Sequence, residues 1–426
     1  MSSPHNIVIL GGSYSGLAVA HGLLKALPGL KSQTGNSFKV TMIANSTHFW
    51  FSVGAPRAMF IPYPKDIMDS FIPIEKGFKQ YPAGLFDFVH AEITGVDTEK
   101  KTVLYKLKKE KEETAPDTTT IPFDSLVIAT GSKGPSPLYS YHGSHAPTLD
   151  AYKDIQSRLP SAQNIMIVGG GTAGTETAGE IGHLHGKKTS SPKDITILSG
   201  HERLLKGLRP SIGQRAQEFL QGMGVKVEHN LKLTDSNDLG NGTTEVTLSD
   251  GSTRTVDMLL VATGRKPASS YLPSSLLDDQ GRVICDAYTC VPSLKNVWVT
   301  GDLAQNSPGG ILYIQFASPT TVGNIVAELG GKGKIKEYKP LTTKETQLVP
   351  VGPDYGVGAA FGWWIPSAVV RMVKGKTMFF PTAIKVRDFG AITLFSKQNF
   401  EHQDATGQYH FAGVFQGSKT LLRWQC

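Results

Sequence analysis

The chain has 426 residues, of which 39% are hydrophobic, and this length suits about three globular domains with apolar cores. Its formal net charge of +7 is spread along the sequence, and the densest charged run, residues 106–113, mixes Lys with Glu, so we expect no nucleic-acid partner. Three cysteines in a chain of this length argue against a disulfide scaffold and are typical of a reducing compartment.

We expect the amino terminus to carry no targeting signal. The first residues lead directly into an apolar strand and lack the basic leader and long apolar core of a secretory signal. Ser2 stands where N-myristoylation requires Gly. Because no run of about 20 apolar residues occurs, a transmembrane helix is not expected either. The sequence therefore predicts a cytoplasmic protein.

The first predicted unit is a strand, a glycine-rich turn, a helix and a second strand. Residues 6–10 and 38–43 are apolar runs that predict buried strands, and residues 14–27 have helical periodicity. The turn reads GGSYSG at residues 11–16, a dinucleotide fingerprint with Ser13 at the middle glycine position. Small residues there let the backbone approach a diphosphate at the positive end of the helix. Such turns also occur for packing alone.

The stretch that follows has the character of β-hairpins. Residues 88–96, 102–107 and 123–128 predict strands separated by polar and charged turns. The last of these strands runs into the sequence ATG at residues 129–131. This tripeptide would mark the place where the chain leaves a nucleotide-binding sheet.

A second unit repeats the design of the first. Residues 164–168 predict a strand, residues 175–184 a helix, and residues 194–198 a further strand. The turn between the first strand and the helix, GGGTAG at residues 169–174, has glycine at all three fingerprint positions. A second ATG, at residues 262–264, follows another apolar run. Two such units imply two nucleotide-binding domains.

The final element of the series is a Gly-Asp pair at residues 301–302, directly after a strand. The carboxylate there could accept a hydrogen bond from a sugar-like hydroxyl group. Five elements, GGSYSG, ATG, GGGTAG, ATG and GD, thus follow one another in an order that chance does not readily produce.

In this order the motifs resemble the pyridine-nucleotide:disulfide oxidoreductase superfamily over roughly residues 5–335. The resemblance implies that the first fingerprint and the GD aspartate hold FAD, and that the second unit holds NADPH or NADH. The expected fold class is α/β, with two Rossmann-type domains, the second inserted in the first, and a small C-terminal α+β region. The expected boundaries are 1–140 with 266–338 for the FAD domain, 141–265 for the NAD(P)H domain, and 339–426 for the C-terminal region.

Three segments, at residues 48–57, 174–180 and 349–356, resemble the apoptosis-inducing-factor-like, ferroptosis-suppressor-type branch, with type II NADH dehydrogenases as more distant relatives. The resemblance implies that the Ala-Pro-Arg segment lies near the flavin, that Glu176 lies beside the nicotinamide and isoalloxazine rings, and that Lys374 approaches the flavin. We take Glu176 and Lys374 as candidate catalytic residues. Without the resemblance, Glu176 could be an acidic residue that the helix dipole favours in the first turn, with no role in catalysis. Lys374 could likewise be an ordinary lysine on a helix surface.

Two departures from the family pattern concern the acids that bind ribose. At the end of the second predicted strand, the family has an acidic residue that binds the adenosine ribose of FAD. This chain has no acid there, and Asn45 or Ser46 would offer weaker, neutral hydrogen bonds instead. At the equivalent place in the second domain stands Ser199, and without a carboxylate a 2′-phosphate could pair with His201 or Arg203. We therefore expect NADPH as the donor, or tolerance of both nucleotides, although Arg203 could equally be a surface arginine.

The motifs and the resemblance together give one set of candidate cofactor-binding residues. They are Gly11, Gly12, Ser13, Ser15, Gly16, Asn45, Pro56, Arg57, Ala129, Thr130, Gly131, Gly169, Gly171, Thr172, Gly174, Ser199, His201, Arg203, Gly264, Gly301 and Asp302.

The cysteines do not point to a redox-active disulfide. Dithiol members of the superfamily carry a Cys pair beside the flavin, but the matching residues 52–57 contain no sulfur. Cys285 and Cys290 have the spacing of such a pair, yet they stand just before the GD strand, and we interpret them as packing residues. Disulfide reduction is therefore disfavoured. No metal-binding motif is recognisable, and no metal is expected.

The sequence thus predicts an FAD-dependent enzyme that passes a hydride from NAD(P)H to the flavin and on to a small-molecule electron acceptor, which the branch resemblance suggests is a quinone or a similar flat molecule. A flavin-dependent tailoring or isomerising enzyme of specialised metabolism is an alternative on the same fold. A slow redox sensor, in which flavin reduction stabilises a protein complex, is a third hypothesis.

The C-terminal region carries the least information. Residues 340–380 resemble the small closing domain of the branch, whereas residues 383–426 match nothing familiar. Within the latter, residues 391–396 alternate like a strand and residues 420–424 are apolar, so partner docking, a homodimer contact or an added hairpin are all open. The aromatic residues at 361–364 could make peripheral contact with a membrane, although domain packing is the commoner fate of such residues.

Overall fold

The computed structural model describes residues 3–61, 70–108, 118–339 and 345–390. Its strands are β1 (His5–Leu10), β2 (Phe38–Ala44), β3 (His48–Trp50), β4 (Phe71–Pro73), β5 (Phe86–Asp97), β6 (Thr102–Leu107), β7 (Thr118–Pro122), β8 (Ser125–Ile128), β9 (Ser132–Lys133), β10 (Asn164–Val168), β11 (Asp194–Ser199), β12 (Lys226–His229), β13 (Leu233–Asp238), β14 (Thr244–Leu248), β15 (Thr253–Val256), β16 (Met258–Val261), β17 (Lys266–Pro267), β18 (Val297–Val299), β19 (Gln347–Val351), β20 (Tyr355–Ala360) and β21 (Trp363–Trp364). Its α-helices are α1 (Tyr14–Thr34), α2 (Ala55–Ala58), α3 (Ala146–Arg158), α4 (Thr172–His185), α5 (Pro210–Met223), α6 (Ile311–Glu328), α7 (Ser367–Val370) and α8 (Ala383–Phe389).

A seven-stranded sheet with the order β18-β8-β1-β2-β5-β6-β7 forms the first layer. The strands from β18 to β5 are parallel to their neighbours, whereas β6 and β7 continue the sheet as antiparallel strands. β1 is central and its last four residues are buried, as a strand covered on both faces requires.

Helix α1 covers one face of this sheet. Apolar residues such as Leu17 and Leu23 are buried in the same core as the strands. The helix continues beyond its predicted end, through Pro28, because Leu30 still contributes to that core. It ends where Gly35 adopts a left-handed conformation, the usual helix stop.

A second, four-stranded parallel sheet has the order β12-β11-β10-β16. Helix α4 follows β10 through the GGGTAG turn, and α5 leads into β12. On its other face, Met166 and Leu198 pack against Val246 and Leu248, with Val246 and Leu248 supplied by the antiparallel sheet β13-β14-β15. The α/β fold class with two Rossmann-type domains is therefore confirmed.

The chain passes between the two sheets twice, at β9 and at β17, and these two short strands pair with each other. In the antiparallel pair β9 and β17, Ser132 lies opposite Pro267 and Lys133 lies opposite Lys266. The chain leaves the first sheet after β8 and returns to it at β18, so the four-stranded sheet is an insertion in the first domain. The domain boundaries given above stay a prediction.

The C-terminal segment contacts both domains. Its small sheet, β19-β20-β21, packs on α4, where a Cβ on Gly179 would come within 2.7 Å of Val351 Cα, so glycine is needed for this close approach. After α7 comes a π-helical turn, Arg371–Gly375, and then α8. α8 docks on α1, where the buried His21 Nε2 donates to the carbonyl oxygen of Arg387 at 2.6 Å.

Trp363 and Trp364 lie on the edge strand β21 and are 65% and 55% exposed. Packing inside the domain, the commoner fate of such residues, therefore does not hold for these two side chains within the described part of the chain. Contact with a membrane surface stays a prediction. Within the same part of the chain, no helix is both long and apolar enough to span a bilayer. The segments 391–396 and 420–424, and most of the charged run, lie outside the described residues.

Candidate active site

A large cavity, with a volume of about 1320 Å³, lies where the carboxyl ends of both parallel sheets face the C-terminal segment. Its walls come from the first fingerprint, the strands β9 and β17, the GD loop, the start of α4 and strand β19. Open α/β sheets bind their ligands outside the carboxyl ends of the strands, so the cavity is the candidate active site.

The structure brings many of the predicted site residues to this cavity. Those that line it are Gly11, Gly12, Ser13, Ser15, Asn45, Pro56, Ala129, Thr130, Gly131, Thr172, Glu176, Gly264, Asp302 and Lys374. The predicted residues that are not part of its wall are Gly16, Arg57, Gly169, Gly171, Gly174, Ser199, His201, Arg203 and Gly301.

The first fingerprint forms a turn that only glycine fits at two positions. Gly11 has a φ of +112°, and a Cβ on it would lie 2.5 Å from the carbonyl oxygen of Ala129. A Cβ on Gly16 would overlap the carbonyl oxygen of Gly11. Ser13, at the N-cap of α1, makes no capping hydrogen bond with its side chain, so the first amides of α1 remain available to an anion.

Asp302 is fixed in the cavity wall by hydrogen bonds to both carboxylate oxygens. Oδ2 accepts from Ser132 Oγ at 2.9 Å, and Oδ1 accepts from the Gly310 amide at 2.9 Å. Arg265 Nε in turn donates to Ser132 Oγ at 2.9 Å. Gly301 has a φ of +89° and lies against Ser15, which brings the GD loop next to the first fingerprint.

The second fingerprint repeats the geometry of the first. Gly169 has a φ of +125°, and a Cβ on Gly174 would overlap the Gly169 carbonyl oxygen. A Cβ on Gly171 would meet nothing within 4 Å, so the backbone there faces open space. At the start of α4, Thr172 Oγ1 accepts a 2.5 Å hydrogen bond from Gln347 Nε2, which joins β19 to this turn.

Glu176 and Lys374 form a buried ion pair in the cavity wall. Lys374 Nζ lies 2.6 Å from Glu176 Oε1 and donates a second hydrogen bond to the Leu348 carbonyl oxygen at 3.3 Å. The two residues are 3% and 8% exposed. Burial raises the pKa of Glu176 above its usual value, although the ammonium of Lys374 acts against this shift.

Arg57 is not among the residues that line the cavity, and its contact with the cofactor stays a prediction. Its Nε and Nη2 donate to Glu180 at 2.8 and 2.6 Å, and its Nη2 and Nη1 donate to the carbonyl oxygens of Gly375 and Lys376 at 2.7 and 3.0 Å. These bonds turn the guanidinium toward α4 and the C-terminal segment. The neighbouring Pro56 does line the cavity.

The Arg203 guanidinium is bonded within its own loop, and its contact with a 2′-phosphate stays a prediction. Its guanidinium donates to Glu202 and to the carbonyl oxygens of Lys206 and Leu208, which fastens the loop after β11. The Ser199 hydroxyl donates to the Arg203 carbonyl oxygen at 2.8 Å. His201 stays exposed, and Lys206 Nζ lies 3.3 Å from His201 Nδ1.

The end of β2 offers neutral groups where the acid was expected. Asn45 is exposed and lines the cavity. Ser46 is buried, and its hydroxyl donates to the His48 carbonyl oxygen at 3.0 Å. Both residues line the cavity, but only Asn45 is exposed, so its side chain is the better placed of the two to contact a ribose.

Several cavity residues gave no signal in the sequence. Tyr139 and Tyr141 come from the loop after β9, and their hydroxyl groups bond to Thr177 Oγ1 at 2.8 Å and to the His48 carbonyl oxygen at 2.9 Å. Burial raises the pKa of both tyrosines, so they remain phenols. Tyr14 occupies a variable position of the first fingerprint. Only the fold brings these residues together, since no local pattern sets them apart.

The thiols that the structure describes play no part in this cavity. Cys285 and Cys290 are free, half-buried and absent from its wall. Burial raises the pKa of Cys290 to about 11 and also raises the pKa of Cys285, which disfavours the reactive thiolates. Within the described ranges, no cluster of His, Cys, Asp or Glu could hold a metal ion.

These features fit FAD and a nicotinamide dinucleotide. Two glycine cradles, each of which a Cβ would fill, stand at the amino ends of two helices, and an aspartate is held rigidly beside the first. A cavity about 1320 Å³ in volume connects the first cradle with the start of α4. The fold and the site define the class of FAD-dependent NAD(P)H oxidoreductases.

Comparison with known proteins gives the family. The model described as pyridine nucleotide-disulphide oxidoreductase matches residues 5–318, and the chain belongs to this family. It is 32% identical over 400 residues to oxidoreductase phnG of Penicillium herquei, covering 88% of this chain and 94% of that protein. It is 26% identical over 386 residues to ferroptosis suppressor protein 1 of Xenopus tropicalis, covering 88% and 93%, which confirms the branch resemblance.

Among solved structures, the sulfide:quinone oxidoreductase from Aquifex aeolicus matches with a TM-score of 0.69 at 16% identity. The match covers 93% of this chain and 94% of that one, and it shows that the two share a fold. The predicted enzyme class and the cofactors FAD and NAD(P)H are confirmed, and the described residues hold no redox-active disulfide.

Proposed function

We propose that the enzyme passes electrons from NAD(P)H through FAD to a quinone-like small molecule. The observation that carries this proposal is the continuity of the cavity, which extends from the first fingerprint to Thr172 and Glu176 of α4. The turn at residues 11–16, Asn45 and Asp302 would hold FAD. The turn at residues 169–174, with Gly264, would hold the nicotinamide dinucleotide.

Bound FAD would supply the redox chemistry, since a flavin accepts a hydride from a nicotinamide and returns the electrons to an acceptor. The chain itself positions the reactants, excludes water and controls charge. The Lys374 ammonium holds a proton 2.6 Å from Glu176 Oε1, in a wall with little access to water. There it stabilises negative charge that develops in the cavity, and the pair offers a proton to an acceptor that has gained electrons.

The walls of the cavity suit a flat organic acceptor. They include the apolar or aromatic residues Ile311, Tyr313, Leu348 and Phe379, of which Leu348 accepts a hydrogen bond from Lys374 through its carbonyl oxygen. Apolar walls with a few fixed polar groups are typical of sites for small organic molecules. The half-buried cysteines lie elsewhere, so nothing on these walls would relay electrons to a disulfide substrate.

Anaerobic stopped-flow spectroscopy with menadione as the quinone probe tests this proposal. We expect NADPH or NADH to bleach the flavin absorbance within seconds, and menadione to restore it as fast. Bleaching that menadione does not reverse would contradict the quinone-like acceptor and would favour a more specialised organic substrate. Bleaching that takes minutes and changes the size of the particle would instead favour a redox sensor.

We further propose that His201 and Lys206 bind the 2′-phosphate of NADPH, since the Arg203 guanidinium is occupied. Removing two polar contacts to a phosphate, one of them from a lysine, should weaken binding by roughly tenfold or more. We therefore expect the double variant His201→Ala/Lys206→Ala to lose at least this factor in kcat/KM for NADPH and little for NADH.

Lys226→Ala provides the control, because Lys226 is exposed on the same sheet and paired with Asp194 at 2.7 Å. Steady-state kinetics with both nucleotides measures the preference. Equal losses for NADPH and NADH in the double variant would refute a phosphate-specific role.

A further inference from the structure

Arg57 joins three parts of the molecule through one guanidinium. It stands on the short helix α2 of the first domain, while Glu180 belongs to α4 of the second domain and Gly375 and Lys376 belong to the C-terminal segment. The side chains of Arg57 and Glu180 are 14% and 6% exposed. Two bonds to the carboxylate and two to backbone carbonyls use four of the five donors of the arginine. A side chain so fully bonded has one orientation.

The two carbonyl oxygens that Arg57 binds come directly after Lys374. They lie at the end of the π-helical turn Arg371–Gly375, in which the Lys376 amide donates to the Arg371 carbonyl oxygen at 2.9 Å. Carbonyl oxygens at the end of a helical segment lack partners within that segment, and a cation is favoured there. Turns of this π type are rare and frequently occur at functional sites. Arg57 thus fixes the backbone from which Lys374 projects.

Helix α4 closes the arrangement. Glu176 and Glu180 are four residues apart and share one face of the helix. Glu176 binds the Lys374 ammonium, and Glu180 binds Arg57, which in turn binds the carbonyl oxygens after Lys374. Because Glu180 neutralises Arg57, the buried guanidinium carries no uncompensated charge. Two carboxylates one turn apart therefore hold both the lysine and the backbone that presents it.

We infer that Arg57 is a positioning residue, which holds the Lys374 ammonium against Glu176 by fixing the carbonyl oxygens of Gly375 and Lys376. The inference rests on the proposed role of Lys374 in the cavity. It assigns Arg57 a role through Lys374, which is distinct from the direct cofactor contact that the resemblance implied.

A double-mutant cycle with Arg57→Gln and Lys374→Met separates this role from simple attachment between domains. FAD content and the unfolding midpoint are measured first, so that only folded holoprotein is compared. Misplacement of a catalytic group by about 1 Å costs up to roughly 100-fold in rate. We expect Arg57→Gln to slow flavin bleaching by NADPH by 10- to 100-fold on this scale, and the double variant to be no slower than Lys374→Met alone. If the two effects multiplied instead, Arg57 would act independently of Lys374.

Hydrogen exchange of the holoprotein gives a readout that needs no turnover. We expect the amides of Lys376 and Met378 to exchange faster in Arg57→Gln. Arg57 no longer holds the carbonyl oxygens of Gly375 and Lys376, so the segment loosens and the bonds from these amides to the Arg371 and Lys374 carbonyl oxygens open more often. Arg57→Lys keeps the positive charge but loses the planar guanidinium that makes two bonds at once. It should therefore restore only part of the protection from hydrogen exchange. It also serves as the test variant if Arg57→Gln does not retain FAD. Unchanged exchange in both variants would overturn the inference.

Arg254→Gln is the matched control. Arg254 makes the same two-bond contact with a glutamate, Glu228, at 2.9 and 2.8 Å, but it lies on the outer sheet of the second domain. We expect it to change neither the bleaching rate nor the exchange of residues 374–378. If the wild-type flavin were not bleached by NADPH or NADH, the proposed function would fail, whereas the exchange experiment would still decide whether Arg57 holds this segment.

Discussion

Gly16→Ala is expected to yield a protein that loses FAD during desalting. The added methyl group would overlap the carbonyl oxygen of Gly11, so the start of α1 must move away from the turn after β1. Overpacking of this kind costs about 1–3 kcal/mol, which corresponds to roughly 5- to 150-fold weaker binding if the strain falls on the bound state. The ratio of visible to ultraviolet absorbance after desalting measures the FAD that is retained.

Alanine substitutions at two other glycines test whether the loss of FAD is specific to Gly16. Gly29→Ala lies in the same helix, where the new methyl group would meet nothing within 4 Å, and it should stabilise the helix by up to about 1 kcal/mol and leave FAD in place. Gly174→Ala disturbs the second fingerprint in the same way as Gly16→Ala disturbs the first. We expect it to keep FAD but to lose bleaching by NADPH. A Gly174→Ala protein without FAD, or a Gly16→Ala protein with full FAD, would refute the assignment of the two cradles.

The fingerprints and the sheets around them could be predicted because their determinants are local. β1 and β10 are short apolar runs, each followed within one residue by a glycine that must adopt positive φ, and these features lie next to each other in the chain. The insertion of one domain in the other was implied by the resemblance of the motif order to the superfamily. Pairing of β9 with β17 was not visible, because two-residue strands have no periodicity to detect.

The direction of long polar side chains could not be read from the sequence. Arg57 was assigned to the flavin through the resemblance of the Ala-Pro-Arg segment, and Arg203 to a 2′-phosphate through its charge and position. In the fold their donors are taken by Glu180, 123 residues away from Arg57, and by carbonyl oxygens in the loop of Arg203. No sequence pattern close to either arginine indicates those partners. Lys374 was found through a resemblance alone, and its pairing with Glu176, 198 residues away, became apparent only in the structure.

Lys374→Met is expected to destabilise the protein in a way that depends on pH. The substitution leaves the Glu176 carboxylate buried without its cation, and breaking a buried ion pair in this way costs about 3–5 kcal/mol. Because the ammonium of Lys374 is the main influence that opposes the raised pKa of Glu176, its loss raises that pKa further. The folded protein then binds a proton that the unfolded chain has released.

The consequence is a falling stability as the pH rises. Between the usual glutamate pKa of 4.5 and the raised value in the folded variant, the native state holds more protons than the unfolded state, so the free energy of unfolding decreases with increasing pH. We expect the unfolding midpoint of Lys374→Met to fall between about pH 5 and about pH 8. Glu176→Gln/Lys374→Met removes the titrating group and should show no such slope. Thermal unfolding in a series of buffers measures both.

Lys193→Met separates this effect from the general cost of removing a buried lysine. Lys193 is as buried as Lys374, at 8% exposure, but its ammonium donates to the carbonyl oxygens of Pro160 and Ala162 rather than to a carboxylate. Its loss should lower stability by a similar amount at every pH, because no buried acid is left behind. A slope in Lys193→Met equal to that in Lys374→Met, or a slope that persists when Glu176 is also replaced, would mean that Glu176 is not the group that titrates. The carboxylate would then be reached by water in the cavity, and the proton held between Glu176 and Lys374 would exchange freely with solvent instead of being kept for the acceptor.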